Sequence, residues 1–485
     1  MGTRQIRGRA FGRDATVASP ARRRNWRWQL VGFLVGGAVG LTVLTVNVVG
    51  ASVSGSQSSA RGSSDPQPVA RRLRDVLHRP PLLVGAGERV RLTYEVVCLA
   101  PGRAPGFPAP CRPRGSVFVR GASTEPFTEI PLVLTGETLS ATLPGSFTRG
   151  AGFDYYALLE DGSGESQILP AGAPTAAHRA WVVARWTDVD LGRHAFGTLR
   201  EPDGTPLRAP WGRGAGRLGL DAGSEQARIG PSAFDVAGER TLVVLDQVND
   251  RLAIQPPKAT APVYVPIPFA GGEGDLAVDE RAIHVLDQGG AGTASPAIRS
   301  FSPAGKLISV TPLADPSADM LRVGPGGPVV HSYPSEMWLP TGGAVPPLPP
   351  DRQIALARNG RPLPGEDELV VRASPAEIRL AIVRGPAVLG AWRVASATSL
   401  GEVQLAEPVR GSLLAVVRVW TEGQAEFRVL ELTPAGLRRA FDLDPGEWAE
   451  SAALSRFRLG GDVLYQLRSS PAGAEIVTFR IGGRG

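Results

Sequence analysis

Lysine is almost missing from this 485-residue chain, in which Lys258 and Lys306 are the only lysines among 52 basic residues. Neither follows a glycine-rich loop, so a phosphate-cradling Walker A site is excluded. Histidine is also scarce, with five in all: His78, His178, His194, His284 and His331. None forms an H-x-H or H-E-x-x-H pair, which removes the helical zinc-protease pattern. No G-x-S-x-G elbow is present for a hydrolase nucleophile. Cysteine is limited to Cys98 and Cys111, too few for a cysteine-only zinc centre. Glycine (60) and proline (44) exceed a fifth of the residues without any period, which excludes collagen and argues against a mainly helical protein. The arginine, alanine, glycine and proline excess matches coding in a GC-rich genome, so the arginine count by itself says little about function.

The net charge of +6 is local. Residues 1–27 hold eight arginines (Arg4, Arg7, Arg9, Arg13, Arg22, Arg23, Arg24, Arg27) against Asp14 alone. The rest of the chain is nearly neutral, so the basic balance does not indicate a nucleic-acid partner. After the basic block comes Gln29 to Val49, a run of 21 residues without a charge. A helix needs about 20 apolar residues to cross a bilayer core. The arginines beside it place residues 1–28 in the cytoplasm and everything after Val49 outside. The expected anchor is therefore a transmembrane helix at 29–49. A cleaved signal peptide is the competing reading, because Val49-Gly50-Ala51 fits a small-residue cleavage pattern; the protein is then secreted.

The two cysteines agree with an extracytoplasmic body. They lie thirteen positions apart in a proline- and glycine-rich stretch. In an oxidising compartment the simplest expectation is a disulfide between Cys98 and Cys111.

Residues 50–81 read as a flexible stalk that ends in a short helix. The stalk is glycine- and serine-rich, and Val69, Leu73, Val76 and Leu77 fall at helical spacing before Pro80-Pro81. From residue 82 the period becomes two: Val90, Leu92, Tyr94 and Val96 alternate with Arg89, Arg91, Thr93 and Glu95. Short strands continue to about residue 185 with turn residues between them. A β-sandwich is expected over 82–185. The stretch from Gly136 to Ser166 resembles the later strands of immunoglobulin-like or fibronectin-like exported domains. There a tyrosine-bearing strand precedes an Asp-Gly turn, here Asp161-Gly162. Thirteen residues are too few for the inter-sheet bridge of antibody domains, so the cysteine pair is expected to pin a loop.

Residues 186–485 read as a connector followed by a repeat. Phe234 corresponds to Leu276, an offset of 42, and Asp246 to Asp287, an offset of 41. Strand repeats of this period indicate propeller blades, and 230–481 has room for six. Val244 to Leu252, with Asp246, Asn249 and Arg251, resembles the V-x-D-x-x-N-x-R-I segment of NHL repeats. The second copy keeps Asp287 and lacks the Asn and Arg. The spacing suits a staple, with Arg251 reaching Asp246 beneath a turn. A strand from 190–229 is a candidate to complete the last blade, since an open ring exposes edges.

Other patterns fail on context. Gly214-Ala215-Gly216-Arg217-Leu218-Gly219 fits G-x-G-x-x-G, yet no helix follows it. The pairs Asp188/Asp190 and Asp442/Asp444 lack the later ligands of a calcium loop. Glu366-Asp367-Glu368 reads as a solvated run, and Trp338 and Trp392 as packing or a propeller face. His284 and His331 fall on expected innermost strands of successive blades. Some NHL-type lyases hold a metal with histidines from several blades, but two are one short of a three-ligand set. No catalytic, cofactor or metal residue is assigned.

The fold expected is all-β: an N-terminal transmembrane helix, a β-sandwich and a six-bladed β-propeller. The function expected is a membrane-anchored extracytoplasmic binding or scaffold protein, non-enzymatic, with the propeller face meeting a protein or glycan. The alternative is a metal-dependent lyase or hydrolase with its site in the propeller channel. The first should show a wide face, the second acids and histidines converging on the axis.

Overall fold

The computed structural model describes residues 73–482, except 101–108, 122, 163–164, 224–226, 239, 268–273, 290–294, 334, 344 and 451–454. The basic tail, the expected membrane helix at 29–49 and most of the stalk lie outside the described residues. Among the described residues no helix is long and apolar enough to cross a membrane. Their regular structure is almost entirely strand, with one short α-helix, Pro350–Ala355, and a 3-10 turn at Gln247–Asn249.

The alternating segment after residue 82 forms Arg91–Ala100, which buries Leu92, Tyr94 and Val96 and exposes the residues between them. It pairs with Leu73–Leu77 on one side and Thr138–Thr142 on the other. A second sheet runs in the order Leu83–Gly85, His178–Val183, Gly152–Glu160, Arg114–Arg120, Thr128–Pro131. Val117, Val119, Phe153, Tyr155, Ala157 and Leu159 of this sheet share one core with Leu92, Tyr94 and Leu139 of the first. Two sheets closed on a common core make a sandwich. Each fully buried large side chain contributes about 1.5–3 kcal/mol. Cys98 and Cys111 are joined by a disulfide, with Cα atoms 5.4 Å apart. The bridge holds the hairpin formed by Arg91–Ala100 and Ala109–Pro110.

The short helix expected before Pro80 is a strand. Val76 pairs with Val96 and Leu77 with Glu95 at the open edge of the first sheet. A five-residue segment cannot sustain a helix alone, and the unpaired backbone of the neighbouring strand offers it a full set of partners.

Six further sheets follow in chain order. Blade one is 233–266, blade two 275–312, blade three 318–340, blade four 361–395, blade five 399–443 and blade six 457–480. Their innermost strands adjoin in sequence: Ala233–Ala237 lies beside Asp275–Val278, which lies beside Ala318–Gly324. Gly324 faces Pro362 of blade four. Glu368–Ala373, the second strand of blade four after Arg361–Pro362, then lies beside Ser399–Val409, that strand beside Phe457–Gly460, and Phe457–Gly460 beside Ala233–Ala237 again. A ring of sheets closed in this way is a β-propeller.

The connector closes it. Gly204–Ala209 pairs antiparallel with Gly473–Arg480 as the outer strand of blade six, with Leu207 opposite Ile476. Thr187–Asp190 adds in parallel to the outer edge of blade four. First and last parts of the ring therefore share one sheet, which removes an exposed edge and ties the ends together. The sandwich is bonded to blade four: Trp181 Nε1 donates to the Gly385 carbonyl at 2.9 Å, and Arg379 Nη1 to the Leu83 carbonyl at 2.9 Å.

Candidate functional site

The motif of blade one is a closed set of hydrogen bonds. Asp246 ends the strand Thr241–Asp246 and is fully buried. Its Oδ2 accepts from Arg251 Nε at 2.7 Å and from Asn249 Nδ2 at 2.8 Å. Its Oδ1 accepts from the Gly219 backbone N–H at 2.8 Å. Arg251 Nη1 and Nη2 donate to the carbonyls of Arg213 and Arg217, and its guanidinium lies 3.8 Å from the Tyr264 ring centre. Both Asp246 oxygens and the Arg251 charge are consumed, while Asn249 Oδ1 is buried without a partner; the motif holds the 212–219 loop on blade one. Gly219 must be glycine here: a Cβ would stand 2.6 Å from Val248 Cβ and 2.7 Å from Asp246 Oδ1. This explains the nucleotide-like glycine pattern without a nucleotide. Asp287 repeats the arrangement in blade two. Its guanidinium comes from Arg299 at 2.6 Å, further along the next strand because the intervening loop is longer.

The axis is charged and closed. Asp235, Asp275, Arg322, Arg361, Glu407 and Arg458 come one from each blade, all on innermost strands. Asp275 receives Arg322 at 3.0 Å and Arg458 at 2.9 Å, and Arg361 meets Glu407 at 2.8 Å. Asp235 accepts the Val278 N–H and Asp275 accepts the Leu321 N–H, so each carboxylate stitches its blade to the next. Burial pushes the Asp235 carboxyl up against the pull of Arg458. For Asp275 burial also opposes the charge, yet the two guanidinia prevail and hold it below the usual range. None of the six is a histidine.

The histidines lie elsewhere. His284 and His331 stand on the second strands of blades two and three, Ile283–Asp287 and Gly327–Ser332, not on innermost strands as expected. The second strands are buried at nearly every position, as the first strand of blade two also is, so pattern alone misassigned them. His284 meets Ser300 at 2.9 Å and Asp279 at 3.1 Å. His331 sits between Asp319 at 2.7 Å and Glu336 at 3.3 Å. Each is satisfied within its own blade, and they do not converge.

One trio escaped sequence reasoning, since His194 lies over 200 positions from its other members, Glu426 and Asp442. Arg428 Nη1 donates to His194 Nδ1 at 2.6 Å, so the ring proton resides on Nε2, which donates to Glu426 at 2.9 Å. The lone pair that a cation would need at Nε2 is thus occupied. Glu426 also accepts the Gly197 N–H at 2.6 Å, and Asp442 the Arg200 N–H through its carbonyl at 2.8 Å. The trio clamps the 194–200 segment to blade five. Asp188 likewise pairs with Arg393, Asp444 with Arg468 and Asp367 with Arg384. Glu368, expected in a solvated run, is in fact on the strand Glu368–Ala373 and bonded to Arg358 at 3.0 Å. Trp338 and Trp392 are buried.

A concave surface lies where the sandwich meets blades three and four. This cleft of about 920 Å³ is lined by Arg120, Asp154 and Arg179 from the sandwich and Arg358, Asn359 and Glu368 from the propeller. Asp154 is shared: Oδ2 accepts from Arg120 Nε at 3.1 Å and Oδ1 from Arg179 Nη1 at 2.8 Å. Asn359 bridges the two parts. Its Oδ1 accepts the Arg179 N–H at 2.8 Å, and its Nδ2 donates to His178 Nδ1 at 3.2 Å and to the Glu336 carbonyl at 2.9 Å. Nothing in the sequence marked these residues, which converge only through docking.

No protein-family model and no curated protein matches the chain. Solved structures similar to it include a PQQ-bound aldose sugar dehydrogenase from Streptomyces coelicolor, 10% identical over 58% of this chain and 97% of that one, at a TM-score of 0.33. A streptogramin B lyase is 9% identical over 53% of this chain and 95% of that one, at 0.31. A periplasmic gluconolactonase from Pseudomonas aeruginosa is 12% identical over 76% and 97%, at 0.24.

Proposed function

We propose that this chain is an extracytoplasmic binding protein, tethered to the membrane through residues 29–49, that receives a protein segment or glycan on its propeller body. Its partners are the membrane and that ligand, not nucleic acid. The observation that carries this reading is the contrast between axis and cleft. The axis is filled by paired charges, whereas the cleft beside blades three and four is concave and has the volume of a ligand site. The mark of the metal-dependent lyase or hydrolase alternative is acids and histidines together on the axis; among the described residues the axial acids are accompanied by arginines and no histidine joins them. The contact surface in this reading is thus the sandwich–propeller junction rather than the open propeller face.

The test uses the full chain in detergent on an array of glycans and peptides, beside an Ala177→Trp variant that fills the cleft. A ligand held by the wild type and lost by a variant with unchanged melting supports the reading. Metal-dependent turnover of a lactone or ester would replace it with the enzymatic alternative. The tether is checked separately: protease added to cells stripped of their wall should digest the body and spare residues 1–27.

A further inference from the structure

Three guanidinia, Arg120, Arg179 and Arg358, line the cleft beside three carboxylates, Glu125, Asp154 and Glu368, and Glu125 accepts the Gly121 N–H at 3.2 Å. Two guanidinia, Arg120 and Arg179, share the single carboxylate Asp154, and both of its oxygens are used. Arg120 gives one more bond to the Ser123 carbonyl at 3.0 Å. Arg179 Nε is buried without a hydrogen-bond partner. Across the cleft Arg358 spends one nitrogen on Glu368. An unpaired donor on a buried charged group is costly, and a guanidinium cannot relieve it by losing its proton. That buried nitrogen is out of a ligand's reach, but the guanidinia of Arg120, Arg179 and Arg358 line the cleft, and the donors they turn to it are met best by anionic oxygens. Glu368 is in reach of the same field: burial pushes its carboxyl up, and the charges of Arg358 and Arg179 oppose that shift.

We infer that the cleft binds an anionic group, a carboxylate or phosphate carried on a polar ligand, which seats between Arg120 and Arg179 with Arg358 facing it. Resting on the binding reading above, this names the ligand class. Paired guanidinia suit such groups because their forked donors match two oxygens at once. Asp154 orients the pair and is a positioning residue. Glu368 limits the charge of the cleft and so disfavours ligands of higher negative charge.

The experiment is calorimetric titration of the full chain with three probes of four units each: tetragalacturonate, linear tetraphosphate and neutral maltotetraose. One or both anionic probes should bind, more weakly as salt rises, and maltotetraose should not. Binding of the carboxylate probe alone, or of the phosphate probe alone, identifies the source of the anion. Arg179→Gln should weaken the bound probe about tenfold or more. Glu368→Gln keeps an acceptor for Arg358 and should tighten binding several-fold, a gain that damage to the fold would not produce. Failure of both anionic probes to bind overturns the inference, as does indifference to Glu368→Gln. Equal binding of maltotetraose also overturns it, while leaving the cleft as a binding site.

Discussion

Tyr155 donates its hydroxyl to Nε2 of His78 at 2.9 Å, and can do so because Nδ1 of the same ring gives its proton to the Thr93 carbonyl at 2.7 Å. The ring stacks on Tyr94 at 4.1 Å and lies 5.6 Å from His178. Both histidines belong to a polar seam where the sandwich rests on the propeller, with Asn359 on the propeller side. Both are therefore locked neutral. Burial pushes His78 down to about 4, against the help of the Thr93 carbonyl and with Arg372 adding to it. Burial and the neighbouring His78 depress His178, against its bond to Asn359.

Acid should loosen this seam. An unfolded histidine takes a proton near pH 6.5, and the folded His78 refuses it until about 4. The unfolded state thus binds more protons between these values, and stability falls as pH falls through that window. His78 alone is worth about 3 kcal/mol once the pH is below its folded value. The melting temperature should drop steeply between pH 7 and pH 4.5, and less steeply for His78→Gln. Equal slopes for the two proteins would show that His78 does not carry the effect.

His331 should work in the opposite direction. Burial disfavours its charge, but hydrogen bonds to Asp319 and Glu336 and their negative charges outweigh that and raise it to about 10. Its stabilisation is complete below pH 6.5 and is lost as pH rises through about 10. The wild type should lose stability from pH 8 to 10 by more than a His331→Gln variant does, read from urea midpoints. If the variant declines as steeply, His331 is neutral in the fold.

Arg251→Ala removes the cation from beneath a fully buried Asp246. Losing one member of a buried charged pair costs roughly 3–5 kcal/mol. The variant should melt well below the wild type while the surviving fold keeps its ligand affinity, because the cleft is lined by other residues. Asn249→Ala, which removes a neutral donor, should cost about 1–3 kcal/mol. An unchanged melting temperature for Arg251→Ala would mean that the guanidinium is spent on solvent.

Cys98 and Cys111 should resist alkylation until a reductant is added. Opening a loop of this size costs about 3 kcal/mol in the chain-entropy model. Mass spectrometry of the native protein after thiol labelling decides it, and labelling of both residues without reduction would show an open pair.

Features carried by neighbours in the chain were legible. Alternation at Val90 to Val96 announced a strand buried on one face, and Asp246, Asn249 and Arg251 announced a stapled turn, since five positions are enough for one end of a hairpin to reach the other. The edge strand Leu73–Leu77 was misread because its apolar residues suit helix and strand alike, and only an adjacent open edge decides between them.

Period and turn chemistry are local properties, so an all-β body, the blade spacing and the disulfide were readable from the order of residues. Contact between distant segments is not local. Tertiary structure alone brought one charge from each of six blades to the axis, placed His284 and His331 one strand out from it, and supplied Arg299 to Asp287 in place of a missing local arginine. It also set Asn359 against Arg179, some 180 residues away. The physical reason is closure: until Gly204–Ala209 joins the last sheet, nothing determines which side chain of one blade faces which of another.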